Sequence, residues 1–363
     1  YIAKQDGSLR PLGIAALEDK IVQRSVVMVL NTVYEEVFRN FSHGFRPGRD
    51  PKDALDAVAV GICHQEVHWI LDADLRKFFD TVDHEWLMRF VRHRIGDKRI
   101  LRLIYLWLKA GVMEEGELSP TDEGTPQGSV ISPLLANIYL HYVLDLWVAR
   151  WRSKEAEGKM LIVRYADDFV VGFRRESDAH RFLAELKDRL EKFRLILHPD
   201  KTRLIEFGRN AERDRRARGE GKPETFSFLG LTHICSRSRN GKFFQLKRHT
   251  NRAKMRAKLQ SIKEKLTERM HLDIPVQGQW LRRVVGGYFN YHAVPTNIGA
   301  LTTFRKAVTA LWRRTLRRRG QRDRTTWETI RGIADRWLPK PRILHPWPEQ
   351  RFAAKYPRWE PGA

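Results

Sequence analysis

The stretch "LIVRYADDFVVGF", residues 161–173, sets two adjacent carboxylates, Asp167 and Asp168, between runs of β-branched and aromatic residues. In a plain strand, neighbouring side chains point to opposite faces of the sheet. Both acids can address one site only where the chain bends. Ile162 and Val163 before them, and Val170 and Val171 after them, are strand formers, so Tyr165-Ala166-Asp167-Asp168 is predicted to be the tip of a hairpin. Aspartate tolerates turn conformations, and an isolated Asp-Asp is equally compatible with an ordinary structural turn.

A second acidic strand end tips the balance. "VHWILDADL" (67–75) reads as a buried strand, and Asp72, Asp74, Asp80 and Asp83 lie at or just beyond its end. If that strand pairs beside the hairpin, one of these acids approaches Asp167 and Asp168. Three carboxylates held together repel one another and raise each other's pKa. Divalent cations relieve the repulsion. Hard oxygen ligands suit Mg²⁺, which keeps some of its waters and binds alongside substrate phosphates. Two such ions about 3.5–4 Å apart are the arrangement used by polymerases and nucleases.

The charge of the chain points to a polyanion. The net charge is +23 over 363 residues, with a pI near 10.3. Residues 241–363 hold 28 Lys/Arg against 8 Asp/Glu, a surplus of 20, whereas residues 1–240 hold 39 against 36, a surplus of 3. Such concentrated charge is the electrostatic footprint of a nucleic-acid binder. The basic residues interleave with Trp and Pro rather than forming one amphipathic helix, which argues against a membrane surface. No apolar run approaches the ~18 residues of a membrane span. Cys63 and Cys235 stand far apart with no Cys/His cluster, so neither a disulfide framework nor a zinc site is expected, and a reducing cytoplasm is the expected location.

Along the chain, "YIAKQDGSLRPLGI" at the start reads as a hairpin with a Gln-Asp-Gly-Ser turn. No Met precedes it, and a natural start further upstream is expected. Helical spacing follows at 18–39, then a Gly/Pro-rich loop at 43–51, and helices at about 83–94 and 97–110 beyond the acidic strand. "GTPQGSVISPLLANIYLHYVLDLW" is a glycine-rich turn feeding a helix, with Ser132 as N-cap and Pro133 at the first helical position. Phe182, Leu183, Leu186, Leu190 and Phe193 mark an amphipathic helix; 208–224 reads as a charged surface loop; "TFSFLGLTHIC" reads as a strand. Residues 250–338 read as mostly helical and basic, and the Pro- and Trp-rich end shows no helical period. The pattern predicts an α/β or α+β body with an appended helical domain.

Seven segments in register resemble the reverse transcriptases of group II introns. "RYADDFVVGF" resembles their Tyr-x-Asp-Asp box, "DADLRKFFDTVDHEWL" their first catalytic strand, and "GTPQGSVISPLLANIYLHYVLD" their template-contacting turn and helix. "RPLGIAALEDKIVQ", "HGFRPGRDPKDAL", "LHPDKTRLIEFG" and "TFSFLGLTH" follow in that family's order, and "GYFNYHAVPTN" is similar to its thumb, or maturase, domain. The resemblance covers essentially the whole chain. It implies an α+β right-hand polymerase: fingers and palm with an antiparallel sheet over residues 1–240, N-terminally incomplete, and a basic helical thumb over 241–363.

The same resemblance implies the site. Asp74, Asp167 and Asp168 are the expected metal-binding carboxylates, with the Leu75 carbonyl completing the ligands of two Mg²⁺ ions. Asp74 is preferred over Asp72 and Asp80, and Asp80 is expected to cap the following turn or helix. Phe79 matches the position whose bulk excludes a ribose 2′-hydroxyl; the lesser alternative is a plain core aromatic. Lys4 and Arg10 match residues that grip the triphosphate, Gln127 and Gly128 the turn against the incoming nucleotide, and Lys201 a lysine that can give a proton to pyrophosphate. In the tail, Arg252, Lys254, Arg256, Tyr288, Tyr291, Arg313, Arg314, Arg317 and Arg318 are expected nucleic-acid contacts, with at least one residue of Tyr288, Phe289 and Tyr291 in the core.

The implied function is RNA-directed DNA synthesis from dNTPs on an intron RNA template with a DNA primer or target, together with RNA binding that assists splicing. The alternatives are a non-enzymatic splicing maturase, which the intact Asp74, Asp167 and Asp168 argue against, and a CRISPR-associated or domesticated relative. The Asn-Ala-x-x-His and Val-Thr-Gly signatures of retron enzymes do not occur, and Ser132-Pro133 stands where diversity-generating enzymes have Ser-Gln. No Cys/His cluster or His-Asn-His array follows the tail, so no nuclease domain of the kind some relatives carry is expected within these residues.

Overall fold

The first described elements are an antiparallel pair, β1 (Ile2–Ala3) with β2 (Leu9–Arg10), Ile2 opposite Arg10 and Ala3 opposite Leu9. The computed structural model describes the chain except residues 1, 4–8, 11–12, 14, 111, 115–116, 120–122, 126–127, 239, 321–324 and 357–363, with backbone alone at 2–3, 9–10, 112–114 and 117–119. Two units divide it, one over 1–222 and one from Pro223 to Trp359.

In the first unit α1 (Leu17–Glu35) buries Val26, Val27, Leu30 and Tyr34, the four-residue spacing of one helix face. Asp50 then caps α2 (Pro51–His64): its side chain accepts from the Lys52 and Asp53 N–H groups while Asp53 answers the Asp50 N–H. This reciprocal capping box, with Pro51 in the first turn, ends the Gly/Pro-rich loop and starts the helix. β3 (Trp69–Ala73) follows, and then α3 (Phe78–Thr81), α4 (His84–Arg92), α5 (Lys98–Lys109) and the short pair β4 (Val112–Glu114) and β5 (Glu117–Ser119).

Two capping expectations are corrected here. Asp83 caps α4, accepting from the Trp86 N–H at 2.8 Å, whereas Asp80 lies inside α3. Ser132 lies inside α6 (Ser132–Leu140), because Ile131 already has helical φ and ψ and takes the cap position without a side-chain cap bond.

α6 runs through a π-helical turn, His141–Asp145, into α7 (Leu146–Lys154). β6 (Met160–Tyr165) and β7 (Asp168–Phe173) form the acidic hairpin, followed by α8 (Glu176–Glu191) and β8 (Arg203–Glu206). The segment predicted as a loop at 208–224 contains α9 (Ala211–Ala217); it lacks an apolar stripe, and ion pairs such as Arg218–Glu206 and Arg215–Glu220 hold its surroundings instead. The central sheet is antiparallel in the order β6-β7-β3-β8. Leu71, Ala73, Ile162, Phe169 and Val171 bury one face with Leu134, Ile138 and Tyr139 of α6 and Phe182, Leu186 and Leu190 of α8. α2 packs against β6 and β7, where Gly61 meets Leu161. Burial of both faces explains why these strands read as nearly continuous apolar runs.

The second unit opens on β9 (Phe226–Phe228), β10 (Leu231–Arg237) and β11 (Phe244–Thr250), an antiparallel sheet in the order β11-β10-β9. "TFSFLGLTHIC" is thus two strands, split where Leu229 and Gly230 both take positive φ. The β10–β11 hairpin pairs Arg237 with Phe244 and so straddles position 240. A division at 240/241 would cut that ladder; the units instead part at Lys222 and Pro223. Helices α10 (Arg252–Glu268), α11 (Ile274–His292), α12 (Ile298–Arg317) and α13 (Trp327–Trp337) enclose a core of Leu281, Val285, Phe289, Phe304, Val308 and Trp312. α14 (Pro348–Lys355) lies in the Pro- and Trp-rich end, where no helix was expected; Pro348 in its first turn starts it.

Candidate active site at the hairpin tip

The β6–β7 ladder closes with Tyr165 opposite Asp168, so Ala166 and Asp167 alone make the turn. Ala166 takes a φ of 56°, a left-handed conformation uncommon for a residue with a Cβ. β3 runs beside β7, and its last pair is Ala73 with Phe169. Asp74 follows Ala73 and Asp168 precedes Phe169, which sets both at the same end of this ladder. On its other side Asp74 is held by the segment before β8: its carbonyl accepts the His198 N–H at 2.8 Å, and the Arg76 N–H donates to the Ile196 carbonyl at 2.8 Å. Buried Leu75 bridges Leu197 between those bonds.

The Asp74 carboxylate receives the Lys201 ammonium at 2.9 Å. That lysine side chain is 61% exposed, so the pair adds little to folding stability and matters for where it places charge. The other acids of this strand region are engaged elsewhere: Asp72 lies 3.7 Å from Arg203, and Asp83 both caps α4 and meets Arg194 at 2.9 Å. Among the described residues, no three His, Cys, Asp or Glu side chains converge as a ready-made metal-holding group. Like charges repel, and the Asp74 carboxylate is turned to Lys201.

Phe78 and Phe79 divide their roles by burial. Phe78 is in the core, edge-on to Phe79 at 5.4 Å between ring centroids, while Phe79 is only half-buried. The Phe79 carbonyl accepts the Thr125 N–H at 2.7 Å, tying α3 to the chain that leads into the glycine turn. Gly128 has a φ of 108°, and a Cβ there would stand 2.3 Å from the Gly13 carbonyl oxygen; both facts demand glycine. Gln23 of α1 holds the same turn: its Oε1 accepts from Ser129 Oγ at 2.8 Å and from the Val130 N–H at 2.9 Å. Sequence reasoning missed Gln23, although a polar residue on the apolar face of α1 was the available signal. Arg164, which interrupts the apolar run "LIVRY", was missed for the same reason. Lys4 and Gln127 lie outside the described residues, and Arg10 is placed by its backbone in β2.

The tail residues separate in the same way. Tyr288 is buried and stacks on Phe304 with ring centroids 3.6 Å apart, so it is a core residue rather than the expected base-stacking one. Burial pushes its hydroxyl pKa up to about 12. The half-buried Tyr291 donates its hydroxyl to the Leu229 carbonyl at 2.8 Å. Arg313 is folded over Trp327 at 4.5 Å and donates to the Thr325 carbonyl, which makes it a brace within the unit. Arg252, Lys254, Arg256, Arg314, Arg317 and Arg318 are exposed. Arg256 and Arg314 line an open groove between α10 and α12 together with Ala253, Ala257, Ala307 and Ala310.

No helix among the described residues is long and apolar enough to cross a membrane. Comparison with known proteins gives one family. Reverse transcriptase (RNA-dependent DNA polymerase) matches residues 2–233. Protein YkfC of Escherichia coli (strain K12) is 36% identical over 275 residues, covering 66% of this chain and 67% of YkfC. Group II intron-encoded protein LtrA of Lactococcus lactis subsp. cremoris is 41% identical over 155 residues, 42% of this chain and 25% of LtrA. Putative COX1/OXI3 intron 2 protein of Saccharomyces cerevisiae is 39% identical over 140 residues, 38% of this chain and 16% of that protein. With the antiparallel sheet ending in paired aspartates and the helical unit that follows it, these matches identify the chain as a member of the reverse transcriptase (RNA-dependent DNA polymerase) family, of the group II intron type.

Proposed function

We propose that the chain copies RNA into DNA by phosphoryl transfer at the hairpin tip, and that its second unit holds RNA. The observation that carries the reading is the register of β3, β7 and β6, which puts Asp74 and the Asp167–Asp168 turn at one end of one ladder. In this reading the first unit is fingers and palm and the second is the thumb.

Asp74, Asp167, Asp168 and the Leu75 carbonyl offer oxygen donors alone, the set that suits Mg²⁺, and the attraction of the Lys201 ammonium to Asp74 at 2.9 Å is consistent with positive charge at that carboxylate. Two Mg²⁺ ions, when bound, would activate the primer 3′-hydroxyl and neutralise charge on the phosphates. Around them, Lys4 and Arg10 would hold the triphosphate and offset the charge that develops on the leaving pyrophosphate. Gly128, with its positive φ, would let backbone lie close to the nucleotide, Gln127 preceding it in sequence would contact the same nucleotide, and Phe79 would crowd a 2′-hydroxyl, selecting dNTPs. Lys201 would give a proton to pyrophosphate as it leaves. The exposed arginines and lysines of α10 and α12 would take RNA phosphates, and binding there would fall steeply with salt.

The test is extension of a DNA primer on an RNA template with dNTPs and Mg²⁺, by the full-length protein. Wild type extends; Asp167→Asn abolishes extension while leaving RNA affinity within about twofold, since one half-buried acid contributes little to a surface governed by phosphate contacts. A wild type that promotes intron splicing yet copies nothing would establish the non-enzymatic maturase instead.

A further inference from the structure

We propose that Arg164 is a positioning residue, whose buried guanidinium fixes the Ala166 carbonyl and with it the angle at which Asp167 and Asp168 leave the sheet. The inference rests on the reading that this turn carries the chemistry. Arg164 has no solvent exposure, and all five of its guanidinium N–H donors find acceptors. Nε donates to Asp145 Oδ1 at 2.8 Å and Nη2 to Asp145 Oδ2 at 2.6 Å, a bidentate pair. Nη2 also donates to Ser42 Oγ at 2.7 Å, and Nη1 to Asn137 Oδ1 at 3.0 Å. The fifth bond runs from Nη1 to the Ala166 carbonyl at 2.9 Å, inside the acidic turn itself.

The surroundings are built to hold that bond. Asn137 and Asp145 are eight residues apart, which in a regular α-helix leaves them about 80° out of line. The π turn between them, marked by the Leu146 N–H donating to the His141 carbonyl, absorbs one residue and brings both onto the face that meets Arg164. Asn137 also donates to the Gly44 carbonyl at 2.6 Å. Gly44 in turn lies so close to the turn that a Cβ on it would stand 2.3 Å from the Ala166 nitrogen. The left-handed Ala166 is therefore braced from below by the arginine fork and from the side by the backbone at Gly44. A buried ion pair is no more stabilising than a well-packed apolar pair, so stability alone does not account for this group. Its arrangement accounts for the geometry of the turn.

The experiment compares wild type, Arg164→Lys, the double variant Arg164→Met with Asp145→Leu, and Asp167→Asn. Thermal unfolding and RNA binding report the fold. Mn²⁺ affinity by electron paramagnetic resonance and single-nucleotide incorporation report the turn. The apolar double variant is expected to unfold cooperatively and bind RNA as wild type does, yet to bind Mn²⁺ about tenfold more weakly. Its incorporation rate should fall about 10–100-fold, with KM for the dNTP moving less than kcat. Arg164→Lys, which keeps a charge for Asp145 but lacks the fork, should show the same loss, and it decides the matter if the double variant does not fold. Wild-type Mn²⁺ affinity and rate in either folded variant would overturn the proposal, provided Asp167→Asn is inactive. A wild type that neither binds Mn²⁺ nor extends a primer overturns the underlying reading and this inference with it.

Discussion

Lys201 Nζ lies 2.9 Å from Asp74 Oδ2, although the two residues are 127 positions apart in the chain. In the proposed reaction that cation, at the end of the strand ladder, would give a proton to the departing pyrophosphate. Lys201→Ala should lower the rate of nucleotide incorporation on the order of 10²-fold, as loss of a general acid does, without changing affinity for RNA. Lys201→Arg keeps the charge but holds its proton too tightly, and should be nearly as slow. Single-turnover incorporation measures both; a rate within twofold of wild type in Lys201→Ala would leave the residue a surface lysine.

Phe79 is half-buried beside the fully buried Phe78, and of the two it is the one with exposed surface. Phe79→Val should raise incorporation of ribonucleotides relative to deoxyribonucleotides about 10–100-fold, the range for removing a steric contact in a pocket. Competition between dCTP and CTP on one template reads this ratio directly. An unchanged ratio would assign Phe79 to core packing.

Three buried histidines predict acid sensitivity. Burial holds the pKa of His141 down at about 4, of His233 at about 3 and of His292 at about 4, from an ordinary 6.5. Below pH 6.5 the unfolded chain binds protons that the folded chain does not, so stability rises with pH across this window. It is fully present above about pH 6.5 and is lost as pH falls toward 4, by up to about 1.4 kcal/mol per pH unit for each group. Urea midpoints measured at pH 7.5 and pH 5 should differ accordingly. His233→Phe, which keeps the stack on Phe226, should reduce the difference. Two of the three histidines belong to the second unit, so its transition should be the more acid-sensitive.

In the second unit, exposed arginines and a buried tyrosine should separate binding from stability. Arg314→Ala with Arg317→Ala should weaken RNA binding and reduce the slope of log affinity against log salt by about 1.4–1.8, roughly 0.7–0.9 for each lost phosphate contact. Tyr288→Ala, which empties the stack on Phe304, should cost about 3–5 kcal/mol of stability. Filter binding across a salt series and thermal unfolding distinguish the two outcomes. Loss of RNA affinity in a still-folded Tyr288 variant would restore the base-stacking role.

What could be read from the sequence was what is local. Alternating strand formers around Asp167 and Asp168 announced the hairpin, and spacing announced α1, α4, α5 and α8. Two local features misled: Ile131 is helical one residue before the expected cap, and Asp83 rather than Asp80 caps α4. α9 was missed because "AERDRRA" has no apolar stripe to give it a period. The remaining gaps are long-range. Ser42 and Arg164 meet across 122 positions and Gln23 reaches Val130 across 107, which no pattern within a window can reveal. The π turn is likewise invisible, since it adds one residue to an otherwise regular apolar helix.

The central claim is that Asp74 and the Asp167–Asp168 turn share one divalent-cation site. Fe²⁺ bound in place of Mg²⁺, with added hydrogen peroxide as oxidant and ascorbate to reduce the iron again, generates hydroxyl radicals that cut nearby backbone, so the positions of the cuts locate the ion. The account predicts cuts in both 73–76 and 165–169 of one chain, suppressed by excess Mg²⁺ and absent from Asp167→Asn. Cuts confined to one of these segments, or cuts unchanged in that variant, would contradict it.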